Sequence, residues 1–200
     1  KRARQIGDVF RQQMGMQRLA EFLGEHGLPL ELVPQLRRCY GDVALEALKA
    51  NPYLLVGEEF GVDFAQADAL ALSLGVETED PQRLEAGLLF ELAHNLNNGH
   101  TFLPQGKLVG ATAQLLECRE EQLEERLATR GCVERERVAG QDGVYLPSLY
   151  EAETLIAWRI REMSENELLP PSDMEGLLRR IQREQGITYA PQQRQAVELA

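Results

Sequence analysis

Apolar residues recur at helical spacing along most of the chain. Ile6, Val9 and Phe10, then Met16, Leu19, Phe22 and Leu23, set a first helix over residues 1–25 that ends near Gly24 and Gly27. Leu32, Val33, Leu36 and Tyr40 share one face of a second helix over 30–40. Pro34 is tolerated there in or near the first turn, where few intrahelical bonds are lost. Gly41-Asp42 breaks the pattern and a short third helix follows over 43–50. Asn51-Pro52 stops that helix, because the residue before a proline is driven out of the α region. Phe60-Gly61-Val62-Asp63-Phe64 forms a tight turn ahead of a helix over 65–74, which Gly75 closes. Asp80-Pro81 is a helix start, and Leu84, Leu88, Leu92 and Leu96 then recur every four residues until Gly99.

Leu103-Pro104 is expected to open a further helix through Leu108, Ala111 and Leu115, followed by another over about 119–130. Between Cys132 and Leu146 lies the one β segment, two short runs around Ala139-Gly140-Gln141-Asp142-Gly143. Helices return over about 148–165 and 172–185, separated by Pro170-Pro171. The pattern predicts a mainly α fold: helix–hairpin–helix elements, then a winged-helix-like unit with one small β-hairpin. The expected divisions are 1–80 for the hairpin region, 81–150 for the winged-helix-like domain and 151–186 for a helical connector.

Composition narrows the function. With 200 residues, 44% hydrophobic and 26% charged, the chain suits one or two soluble globular domains. Its net charge of -11 argues against coating nucleic acid by bulk charge. That charge is local: residues 1–50 carry +2, whereas 51–100 carry -8. Nucleic-acid contact is therefore expected near the N-terminus. No apolar run approaches the ~20 residues needed to cross a bilayer, so no membrane role is expected. Cys39, Cys118 and Cys132 are an odd, widely spaced set, expected as free thiols in a reducing cytoplasm and not as a zinc site. Because residue 1 is lysine, the chain is expected to be a piece of a longer one.

Two segments share the grammar of helix, glycine turn, helix. One runs from Phe22 through Gly24, Gly27 and Pro29 into the second helix; the other is Phe60 to Leu70, turning at Gly61. A glycine turn lets the backbone approach a phosphate, and N–H groups at a helix start attract an anion. A plain turn is the competing reading. The first hairpin is the better placed, with Arg37 and Arg38 on its following helix and Arg11 and Arg18 on the preceding one, although Pro29 removes a donor. In the second, Asp63 stands where a neutral residue would serve phosphate, and Glu58 and Glu59 flank the turn. In the winged-helix-like unit, the third helix carries Glu120, Glu121, Glu124 and Glu125, a poor surface for reading a DNA groove. A strand over Glu134-Arg135-Glu136-Arg137 puts both arginines on one face, where solvated ion pairs are expected rather than phosphate contact. His94 and His100 flank a helix end and are expected to be structural. Neither a nucleophile–histidine arrangement nor a GxxxxGK[ST] phosphate loop occurs, so no complete hydrolysis site is expected.

Asn51-Pro52-Tyr53-Leu54-Leu55, then Phe60 to Phe64 with Ala67-Asp68, then Gly99-His100-Thr101-Phe102-Leu103-Pro104 occur in fixed order. Together with Ile187-Thr188-Tyr189-Ala190-Pro191-Gln192-Gln193-Arg194, they strongly resemble the N-terminal region of the RecD-like DNA helicases of superfamily 1, the exonuclease V alpha-subunit family. The resemblance covers essentially the whole chain. It implies an accessory region of an ATP-dependent 5′-to-3′ helicase of DNA repair and recombination, cytoplasmic, acting on single-stranded DNA or DNA ends. It places the start of a motor domain at 187–200, with Gln193 on the adenine of ATP and the phosphate loop beyond Ala200. ATP and Mg2+ are then cofactors of the full-length protein, and none is expected in this chain. Lys1-Arg2 resembles the second helix of a preceding hairpin, which with Gly27, Arg37, Arg38 and Gly61 completes the DNA-binding set the reading supports. Where family members carry Gly-Ile-Gly-Phe and a lysine, this chain has Gly61-Val62-Asp63-Phe64, which counts against DNA binding by that hairpin. The alternative is a helical interaction or regulatory module with no nucleic-acid role. Weak or undetectable DNA binding is expected of the chain alone.

Overall fold

The computed structural model describes residues 2–57, 59–129, 131–165 and 173–199, with side chains from residue 13 to residue 197. Contacts divide the chain into two units, 1–153 and 154–200. In the first, α1 (Arg2–Glu25), α2 (Leu32–Tyr40), α3 (Ala44–Ala50) and α4 (Phe64–Ser73) build the hairpin region. Helix α1 ends in a Schellman-type turn: Gly27 takes φ +68° and the Leu28 N–H donates to the Leu23 carbonyl at 2.8 Å. Leu28 is then buried beneath the turn. Pro34 falls in the first turn of α2, as expected. A 3₁₀ turn over Pro52–Leu55 leads to the second hairpin, started by the Asn51 side chain accepting the Tyr53 N–H at 3.1 Å.

Helix α5 (Pro81–Leu96) begins at the predicted cap, where the Asp80 carboxylate accepts the Gln82 N–H at 2.8 Å. It is followed by β1 (Phe102–Pro104), α6 (Gln105–Leu116), α7 (Glu120–Ala128), β2 (Glu134–Val138) and β3 (Gln141–Tyr145). Strand β1 corrects the sequence reading, which starts a helix at Leu103-Pro104. Those residues instead pair antiparallel with β3, Leu103 opposite Val144, and the hairpin becomes a three-stranded sheet of order β1-β3-β2. Three residues are too few to show alternation; only their pairing makes them a strand. The edge position of β1 accommodates Pro104. The β2–β3 turn has Ala139 at φ +48° and Gly140 at +84°, a two-residue turn of the I′ kind that suits strand twist.

One core runs through this unit. Leu19, Leu23, Leu36, Leu48 and Leu55 of the hairpin region share it with Leu88, Leu108, Leu123 and Val144, without a gap at residue 80. Arg83 of α5, 5% exposed, donates two hydrogen bonds of 2.8 Å to Asp68 of α4. Tyr53 donates to the same carboxylate at 2.7 Å, and Arg83 also reaches the Thr78 and Leu116 carbonyls at 3.1 Å. Burial and the Asp68 carboxylate hold the Tyr53 phenol protonated well above its ordinary range. Helices α5 and α6 approach closely at Gly87, where a Cβ would sit 2.8 Å from the Leu116 side chain and 3.1 Å from that of Thr112. Gly87→Val is expected to overpack this contact and lower stability by about 1–3 kcal/mol. The check is a lower urea midpoint at unchanged slope.

Helix α8 (Pro147–Glu165) begins in the first unit and continues into the second, which also holds α9 (Met174–Gln185) and α10 (Pro191–Leu199). Asp173 caps α9 by accepting the Gly176 N–H at 2.8 Å, and Arg194 of α10 pairs with Glu175 at 2.7 Å. Lys1, Glu58, Arg130 and the expected Pro170-Pro171 break lie outside the described residues. Among those described, no helix is long and apolar enough to cross a membrane.

Candidate nucleic-acid interface

At the first hairpin, Gly27 is exposed and nothing lies within 4 Å of where its Cβ would be. Most of its backbone donors are occupied. Gly27 donates to Gly24, Leu28 to Leu23, Leu32 to Pro29 and Val33 to Leu30, while Pro29 and Pro34 have no N–H. The amides of Leu30 and Glu31 remain outside this set. The His26 ring lies 4.4 Å from Phe22, and its Nδ1 is 2.8 Å from the Phe22 carbonyl. A carbonyl only accepts, so Nδ1 carries the proton and Nε2 is left without a protein partner. Over the same Phe22 ring, at 5.3 Å from its centroid, stands the ammonium of Lys49, from the last turn of α3. Sequence reasoning missed Lys49, because only the packing of α3 on α1 brings it to the hairpin.

Arg37 and Arg38 sit at the opposite end of α2, roughly 9 Å along the helix from Leu32 at 1.5 Å per residue. Arg37 is half-buried and hydrogen-bonds Asp42 at 2.7 Å. With Arg18, Leu45 and Glu46 it lines a groove of about 370 Å³ between α1, α2 and α3. Arg38 is exposed and makes no ion pair among the described residues. Its neighbours turn toward the second hairpin: the Cys39 thiol donates to Glu59 at 3.0 Å, and Tyr40 stacks on Phe60 with centroids 6.5 Å apart. The fold therefore does not gather Gly27 with Arg37 and Arg38.

The second hairpin has the expected glycine geometry and the expected unfavourable charge. Gly61 takes φ +65°, but its N–H is spent on the Gly57 carbonyl at 2.9 Å. Val62 is buried, bridging to Val56. Asp63 is exposed at the start of α4 and makes no capping hydrogen bond, so its carboxylate faces any phosphate that approaches. Arg83, the sole basic residue of 51–100, is buried on Asp68 and offers no compensation.

Elsewhere, α7 buries Leu123 and Leu127 and exposes all four of its glutamates, while Arg126 pairs with Glu85. Strand register sets Arg135 and Arg137 opposite Val144 and Asp142, and Glu134 and Glu136 opposite Tyr145 and Gly143. The ion pairs expected of these arginines are not formed: among the described residues neither has one. Alternation sends the arginines and glutamates of β2 to opposite faces, and Arg137 stands across from Asp142 without an ion pair to it among the described residues. All three cysteines are free, and each thiol is pushed above its ordinary pKa, Cys39 by its hydrogen bond to Glu59 and Cys118 and Cys132 by burial. That direction disfavours the thiolate and nucleophilic use. His94 stacks on Phe90 at 5.9 Å. No group of three or more His, Cys, Asp or Glu among the described residues is placed to hold a metal. Arg2 begins α1, its side chain lying outside those described, and Gln193 is exposed near the start of α10 with Oε1 accepting the Ala190 N–H at 3.0 Å.

Two turns with left-handed glycines, each set between helices that share one core, define a helix–hairpin–helix protein. Residues 12–102 match the family model for the ATP-dependent RecD2 DNA helicase HHH domain. That match supports an N-terminal region of a RecD-like helicase, the family its motifs resemble.

Proposed function

We propose that this chain is the accessory N-terminal region of an ATP-dependent 5′-to-3′ DNA helicase of repair and recombination, which supports the motor and guides single-stranded DNA. The observation that carries this reading is the match of residues 12–102 to a RecD2 helicase HHH domain. It is supported by a first hairpin that keeps an exposed left-handed glycine and carries an exposed lysine over Phe22 of its first helix. The α5–β1–α6–α7–β2–β3 order is that of a winged helix, and its acidic α7 suits packing rather than groove reading. Single strands and DNA ends are the partners, and the cytoplasm the place of work.

In this reading ATP and Mg2+ belong to the motor, where the cofactor supplies the free energy of phosphoryl transfer. Gln193 would touch adenine, and its side chain is exposed at the start of α10 as that role requires. The phosphates need residues that the sequence to Ala200 does not hold. The coding sequence beyond Ala200 is therefore expected to read GxxxxGK[ST] within a few tens of residues; its absence contradicts the proposal. A second reading, an interaction module without nucleic-acid contact, is favoured by the net charge of -8 over residues 51–100.

A further inference from the structure

We propose that Lys49 supplies the cation with which the first hairpin holds a phosphate of a DNA strand; this rests on the strand-guiding role proposed above. The hairpin's own donors are nearly exhausted, with four turn amides bonded internally and two prolines lacking an N–H. The Nδ1–H of His26 is engaged with the Phe22 carbonyl. What the fold adds is an exposed ammonium from a different helix, held over Phe22, the ring that His26 also packs on.

No ion pair among the described residues occupies Lys49, although Glu46 lies one turn earlier on α3 and Glu25 and Glu31 flank the hairpin. Three other exposed cations of the unit are less suited. Arg38 adjoins Cys39, whose thiol donates to Glu59 of the second hairpin, and Arg135 and Arg137 stand on an edge strand whose alternating charges also serve to block edge pairing. A cation in the last turn of α3 also favours the helix dipole, so the test separates charge from packing.

The 200-residue chain, labelled with 15N, is titrated with oligodeoxythymidylate at low salt. The expected result is amide shifts concentrated at His26, Gly27, Leu30, Glu31 and Lys49. Lys49→Met keeps an aliphatic cover over Phe22, and it is expected to weaken binding several-fold and to lower the slope of log affinity against log salt by about 0.7. Lys49→Arg restores both. If shifts concentrate instead at Arg38 and Gly61 or at Arg135 and Arg137, and Lys49→Met binds as the parent does, the assignment to Lys49 is overturned while strand guiding stands. If no amide shifts at low salt in a folded chain, strand guiding fails and the role of Lys49 with it.

Discussion

Asp68→Ala is expected to destabilise the first unit by about 3–5 kcal/mol, because it strands a buried arginine. Arg83 is 6% exposed at its side chain and Asp68 14%, and their bidentate pair closes the junction between α4 and α5. Removing the carboxylate leaves the guanidinium with only the Thr78 and Leu116 carbonyls, and Tyr53 loses its acceptor as well. At roughly 2–4 °C per kcal/mol for a chain of this size, the melting temperature falls by about 10 °C. Replacing the whole pair, Asp68→Leu with Arg83→Met, is expected to recover most of the loss, since no charge is then left buried alone. A loss below about 1 kcal/mol for Asp68→Ala would class the pair with exposed ion pairs and contradict its structural role. The phenol of Tyr53 contributes with a definite sign. Its folded pKa is raised, so its stabilisation is complete below the ordinary phenol pKa of about 10 and is lost as pH rises through the folded value.

Leu88→Ala is the second large effect, about 2–5 kcal/mol. Leu88 is fully buried on α5, the helix that packs against both α6 and α7, and it belongs to the same cluster as the leucines of the hairpin region. Because that core is continuous across residue 80, the loss is expected as one cooperative transition shifted to lower urea, not as a second transition split from the first. Two separated transitions would mean that the hairpin region and the following sheet unit fold independently.

Much of this fold is legible in the sequence because most elements are amphipathic and capped locally. The Asp80-Pro81 start, the Gly27 stop and the paired faces of Leu32, Leu36, Leu84 and Leu88 need no knowledge of distant residues. What escapes is set by tertiary contact. Strand β1 exists through its pairing with β3, and the buried position of Arg83 depends on Asp68 fifteen residues away. The candidate interface shows the same limit. The glycine turns and the repulsive Asp63 follow from local chemistry, whereas the separation of Gly27 from Arg38 and the arrival of Lys49 beside Phe22 follow from how α1, α2 and α3 pack.

The central claim is that an acidic chain still lends a strand contact to a helicase through its N-terminal hairpin. Its most direct test is the affinity of the 200-residue chain for fluorescent single-stranded DNA across a salt series. The account predicts weak binding at low salt, in about the 10⁻⁴–10⁻⁶ M range of non-specific contact, falling steeply as salt rises. No binding at low salt by a chain with normal helical content would contradict it and leave the scaffold role alone.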